Sequence, residues 1–315
     1  LKREIVDEAL ASNWGRYPDF VPGEVKAAIG KRHDLGPEHI LIGNGSNELI
    51  QAIFQATVSA GDAVVLPAPT FTLYALMGRI AGADIRTVHL RRDLSFDVDR
   101  LVEESARPDV RLVVLCSPNN PTGSMITPED TARIAEATTG LVVVDEAYFE
   151  FGGVSSIELL DRHPDLVITR TFSKALGAAG LRLGYLAADP AVAKEIEKVK
   201  LPYNVNIISL ITARKLIGQD ALIEERASMI RSERQRVFEA LRDLSGIRPY
   251  PSHANFVLFE ADRPVAGIFH GLIERGVLIR DVSRYPMLER GMRVTIGLPE
   301  ENDAFLEALR EVLAS

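Results

Sequence analysis

The stretch Leu141-Val142-Val143-Val144-Asp145-Glu146-Ala147-Tyr148 decides how the chain is read. Four apolar residues without polar alternation describe a strand buried on both faces, as in a parallel sheet covered by helices. A carboxylate directly at the end of such a strand is costly unless a cation or hydrogen-bond donors meet it. Asp145 therefore either caps the next helix or faces the positive charge of a ligand.

Outward from this stretch the same pattern recurs. Strands are expected at Ala63–Leu66, Ile85–Leu90, Leu112–Cys116, Leu166–Thr169 and Leu183–Ala187, with helices at Asn47–Ser59, Leu73–Ala81 and Pro128–Ala137. This βαβ rhythm predicts an α/β fold with a mainly parallel sheet sandwiched by helices, and ligands at the carboxyl ends of the strands. Beyond Pro190 the rhythm changes. Charge-laced helices are expected at Ala191–Lys200 and Ile207–Leu244, and a helix at Pro264–Arg275. Strands are expected at Asn255–Glu260, Val277–Arg280 and Met292–Ile296, and a terminal helix from Glu300 to Leu313. A large domain over residues 36–195 is predicted, with a smaller α+β domain made of residues 1–35 and 196–315.

Composition excludes several classes. The 315 residues are 46% hydrophobic and 25% charged, an ordinary globular make-up. No apolar run approaches the roughly 20 residues of a membrane span, so no membrane partner is expected. The net charge is −8 and the 36 Lys and Arg are scattered, which leaves no basic footprint for nucleic acid. Cys116 is the only cysteine, so it forms neither an internal disulfide nor a CxxC metal site. It reads as a buried strand residue in a cytoplasmic protein, and no metal is expected. Leu1 is not an initiator methionine, so the natural start is expected upstream, and Leu1–Ala11 lacks the apolar centre of a secretory signal.

The GxxxxGK(S/T), HExxH, GxSxG and GxGxxG patterns are absent. Polar residues cluster instead after the predicted strands. Gly43-Asn44-Gly45-Ser46-Asn47 opens a helix, where free N–H groups and the helix dipole favour a phosphate or carboxylate. The plain alternative is a turn with Ser46 or Asn47 as N-cap. Ser117-Pro118-Asn119-Asn120-Pro121-Thr122-Gly123 sets amide side chains at another strand end, for a ligand or for its own backbone. Arg170-Thr171-Phe172-Ser173-Lys174 comes after a third strand. A partly buried Lys174 would have the free amine of a Schiff-base lysine, and Ser173 with Arg182 would make an anion site; the alternative is a solvated lysine. Together these residues supply a phosphate cradle, a carboxylate for a ring nitrogen, amide and phenol donors for a ring oxygen, and an amine for an aldehyde. Those are the needs of pyridoxal 5′-phosphate.

At these residues the chain resembles the fold-type I pyridoxal-phosphate-dependent aminotransferases, most closely the histidinol-phosphate aminotransferase branch and its aromatic relatives. The resemblance runs from about Tyr17 to the C-terminus. It implies that Lys174 bonds the cofactor, that Ser46, Asn47, Ser173 and Arg182 hold its phosphate, and that Asn120 and Tyr148 hold its ring hydroxyl. It implies Asp145 as partner of the ring nitrogen, with Lys174, Asp145 and Tyr148 as the catalytic set. Phe71 matches an aromatic that stacks on the ring, where many relatives carry Tyr. Arg16-Tyr17-Pro18-Asp19 looks like the segment whose tyrosine crosses to the neighbouring subunit's site, which implies a homodimer. Val277–Asp281 and Met292–Gly297 resemble the segments that present substrate-binding arginines, here Arg280 and Arg293, with Asn120 and Tyr17 beside them. Without the resemblance these arginines would be strand-end surface pairs.

Two departures stand out: Asn47 occupies a position where relatives usually have Asp, and an N-terminal arm with an Asn-Glu-Asn-Pro type segment is absent from these residues. The implied reaction moves an amino group between L-histidinol phosphate and 2-oxoglutarate or glutamate in histidine biosynthesis, since two guanidinium groups suit dianions. An aromatic amino acid aminotransferase and a threonine-phosphate decarboxylase are the alternatives.

Overall fold

A computed structural model describes residues 1–314. The larger sheet contains β1 (Ile40–Gly43), β2 (Ala63–Ala68), β3 (Asp84–His89), β4 (Val110–Cys116), β5 (Leu141–Asp145), β6 (Leu166–Thr171) and β7 (Gly184–Ala188). Their order is β1-β7-β6-β5-β4-β2-β3. Strands β3, β2, β4, β5 and β6 are parallel, while β7 is antiparallel to both β6 and β1.

Helices α1 (Lys2–Ala11) and α2 (Gly23–Arg32) precede this sheet. Within and after it come α3 (Ser46–Thr57), α4 (Leu73–Ile80), α5 (Val98–Ser105), α6 (Pro128–Ala137), α7 (Pro190–Glu197) and α8 (Ile207–Leu216). The unbroken apolar runs are explained by burial on both sides. Val113, Leu115, Val142, Val144 and Ile168 face α2, α5, α6 and α8 through Ile29, Leu101, Ile134 and Ala213. Their strand neighbours Leu112, Val114, Val143 and Val167 face α3, α4 and α7 through Ile53, Tyr74 and Ile196. Each such side chain removed from water contributes roughly 1.5–3 kcal/mol.

The second unit packs α9 (Asp220–Arg242), α10 (Val265–Glu274) and α11 (Pro299–Ala314) on a sheet of order β10-β11-β9-β8. Its strands are β8 (Ile247–Pro249), β9 (Phe256–Ala261), β10 (Arg280–Asp281) and β11 (Gly291–Thr295), all paired antiparallel. Val237, Leu241, Phe259, Leu272, Met292 and Leu309 share its core.

Three expectations need amendment. The helix expected over 207–244 breaks between α8 and α9, where Gly218 takes φ +99°. Of the strand expected at Val277–Arg280 only Arg280 lies in one, the two-residue strand Arg280–Asp281. Val25 and Ile29 lie in the core of the large sheet, and Ile5 and Ala9 pack on Ile211 of α8. The two helices of residues 1–35 thus pack, through these side chains, on the large sheet and on α8, where the segment was expected to join the smaller unit.

Candidate active site

Strand register brings distant loops to one place. Cys116 pairs with Asp145, and Asp145 with Thr169, so the loops after β4, β5 and β6 leave the sheet side by side. Thr171 pairs with Gly184, and Gly184 with Gly43, so Arg182 and the start of α3 arrive at the same edge. All the expected site residues except Tyr17 line one cavity of about 370 Å³.

One end of the cavity is built for an anion. Gly45 takes φ +85° and caps α3 without a side-chain bond, so neither Ser46 nor Asn47 is spent as the N-cap. Arg182 donates through Nη1 to Ser173 Oγ (3.3 Å) and Ala179 O (3.1 Å). A Cβ on Gly45 would lie 2.6 Å from Arg182 Nη2, and one on Gly184 2.4 Å from Ser46 N. Two glycines thus let the guanidinium and the helix N-terminus approach closely.

Asp145 forms the floor. Its Oδ2 accepts from Tyr74 Oη (2.7 Å), and its Oδ1 from Thr169 Oγ1 (3.1 Å) and Ala147 N (3.2 Å). Burial pushes the carboxyl upward from its ordinary pKa, and these donors oppose the shift. The neighbouring Glu146 serves structure: it accepts from Arg170 Nη2 (2.7 Å) and Ser156 N (2.7 Å) in a buried pair. Phe71 stands on the wall, edge-on to Tyr74 with ring centroids 5.6 Å apart.

The two asparagines after β4 divide their work. Asn119 is fully buried and braces its loop, accepting from Thr70 Oγ1 (2.7 Å) and donating to Pro69 O (2.9 Å). Asn120 faces the cavity and accepts from Arg293 Nη1. Lys174 Nζ lies 5.1 Å from the centroid of the Tyr148 ring. Burial lowers the pKa of Lys174, and Arg293 and Arg182 add to that shift, against Asp145. Burial raises the pKa of the Tyr148 phenol, which stays protonated.

The other end comes from the smaller sheet. Arg280 pairs with Arg293 across β10 and β11, so both guanidinium groups reach the cavity. Arg293 lies 4.7 Å from the Phe256 ring, and its Nε is buried without a hydrogen-bond partner among the described residues. Tyr17 is elsewhere: 81% exposed and stacked on Tyr203 at 4.7 Å. Sequence reasoning missed Tyr74, Tyr285 and Val282, which also line the cavity. Tyr74 lies 71 residues before Asp145 in a stretch that reads as an ordinary amphipathic helix, so no local signal exposed it.

The family model for aminotransferase class I and II matches residues 1–309. The chain belongs to this aminotransferase family. A histidinol-phosphate aminotransferase of Caldanaerobacter subterraneus subsp. tengcongensis is 40% identical over 95% of this chain and 84% of its own length. One from Chlorobaculum tepidum is 38% identical over 99% of this chain and 90% of its own. Among solved structures, histidinol-phosphate aminotransferase from Sinorhizobium meliloti in complex with pyridoxal-5′-phosphate is 29% identical, with a TM-score of 0.90. That match covers 98% of this chain and 86% of the other. The larger sheet of this chain is mostly parallel and its second sheet is small and antiparallel, within a fold that matches that structure at a TM-score of 0.90. Among the described residues no helix is long and apolar enough to cross a membrane.

Proposed function

We propose that the chain is a pyridoxal-phosphate-dependent aminotransferase that exchanges an amino group between L-histidinol phosphate and 2-oxoglutarate. The observation that carries this reading is the convergence of Lys174, Asp145, Arg182 and Arg293 on one cavity. The relatives at 38–40% identity, both histidinol-phosphate aminotransferases, support the substrate.

The residues fit the cofactor. The close glycines and the first turn of α3, with Ser173 and Arg182, would hold its phosphate. Phe71 would cover one ring face, Asn120 and Tyr148 would meet the ring oxygen, and Asp145 would hold a proton at the ring nitrogen. When bound, pyridoxal phosphate supplies an aldehyde that joins amines and a ring that accepts electrons from the substrate's α-carbon. The lowered pKa of Lys174 favours its neutral amine, which would hold the aldehyde at rest. Once displaced by substrate, the same amine would take the proton from the α-carbon and deliver it to the carbon that was the cofactor's aldehyde.

Arg293, with its unused Nε, and Arg280 would bind the phosphate monoester and then the dicarboxylate. The exposed rings of Tyr17 and Phe20, both against Tyr203, support a homodimer in which Tyr17 reaches the neighbouring site. The lone buried Cys116 suits a cytoplasmic setting.

The test is a single half-reaction followed by visible absorption of the loaded protein. L-Histidinol phosphate should discharge the cofactor's band quickly and L-phenylalanine slowly. Preference for phenylalanine would move the assignment to aromatic substrates, and no visible band after adding pyridoxal phosphate would overturn the cofactor.

A further inference from the structure

Tyr74 is completely buried, and its hydroxyl donates to the carboxylate that the reaction uses, with the Cys116 thiol also beside it. It sits three residues after Phe71, so the loop before α4 and the first turn of α4 present a ring face and a phenol donor to the same cavity. The charged or titratable groups around Asp145 are Tyr74 from α4, Cys116 from β4, Lys174 after β6, and Glu146 and Tyr148 after β5. Of these, Tyr74 is the one whose side chain donates to Asp145; Thr169 Oγ1 and Ala147 N share the opposite oxygen.

We propose that Tyr74 is a positioning residue: its hydroxyl, 2.7 Å from Asp145 Oδ2, keeps that carboxylate charged and thereby fixes the proton on the cofactor's ring nitrogen. The inference rests on the pyridoxal-phosphate reading given above. Its sign comes from the donor. A hydrogen bond to the ionised carboxylate favours the ionised form. Without it Asp145 is the stronger base, and the shared proton moves from the ring nitrogen to the carboxylate. Tyr74 can play this part at any working pH, because burial and the nearby Asp145 charge hold its phenol protonated. Transfer of the proton the other way, from phenol to Asp145, is therefore closed.

The test compares Tyr74→Phe with protein carrying 3-fluorotyrosine at position 74. The fluorinated phenol is the more acidic and the stronger donor, and it keeps the ring in place if the phenylalanine variant packs poorly. The first readout needs no cofactor: carbon NMR titration of the Asp145 carboxyl in the full chain. Tyr74→Phe should raise its midpoint by about one pH unit or more, and fluorotyrosine should lower it. Equal midpoints in the two proteins would overturn the proposal.

The second readout is the nitrogen chemical shift of labelled pyridoxal phosphate bound to each protein. It should move toward the unprotonated ring in Tyr74→Phe and stay protonated with fluorotyrosine. An Asp145→Asn protein that keeps its ring nitrogen protonated would instead overturn the cofactor reading, while leaving the carboxyl titration intact.

Discussion

At the end of the cavity where Asp145 lies, each carboxylate oxygen is met by a fixed donor, and the strands below are locked in register. At the end where Arg293 lies, one hydrogen bond to Asn120 and one ring face, that of Phe256, orient the guanidinium. The first end belongs to the large sheet, and its geometry is inherited from the ladder itself. The second is supplied by a separate small sheet that reaches across. Under the proposed function the contrast separates two jobs. Chemistry at a ring nitrogen needs a carboxylate that does not move, whereas binding a phosphate at one stage and a carboxylate at the other needs cations with donors left over.

The contrast is tested first through the pair beneath the rigid end. Arg170→Met leaves Glu146 charged and buried without its partner, and unfolding free energy should fall by about 3–5 kcal/mol in a denaturant titration. A loss near zero would show that the rigid end does not depend on this pair.

Arg293→Met should leave stability nearly unchanged and lower kcat/KM roughly 10²-fold. It should also raise the pKa of Lys174, because Arg293 is one of the cations that depress it. The neutral amine then appears only at higher pH, so the acid limb of the pH–activity profile should move upward. An unmoved limb would break the link between the two ends.

Phe71→Leu keeps an apolar wall and loses the stacking face, and equilibrium dialysis should find pyridoxal phosphate held about 2–10-fold more weakly. The smallest effect is expected at Arg280, which is exposed: Arg280→Ala should change KM by less than about fivefold. A loss as large as that of Arg293→Met would show that the substrate end uses both arginines equally.

The same division governs what could be read before the structure. Runs such as Leu112–Cys116 and Leu141–Asp145 announce strands because burial on both faces demands unbroken apolar residues. Once those strands are adjacent, the polar residues after them fall together, which is why Asp145, Asn120 and Lys174 were legible. β1 escaped notice because Ile40–Gly43 is only four residues long and pairs with β7, more than a hundred residues later. Tyr74 was hidden for the same reason: its significance lies in a hydrogen bond made across the fold. Asn119 and Asn120 are indistinguishable as letters, and only the bonds of the first to Thr70, Pro69 and Thr122 assign it to the loop. Tyr17 stays outside the cavity of its own chain, and only the resemblance made it a candidate.

The central claim is that Lys174 is the amine that holds the cofactor, and its most direct test is chemical. The protein is loaded with pyridoxal phosphate, reduced with borohydride, digested and examined by peptide mass spectrometry. A phosphopyridoxyl mass on Lys174 is predicted; that mass on another lysine, or on none, would contradict the account.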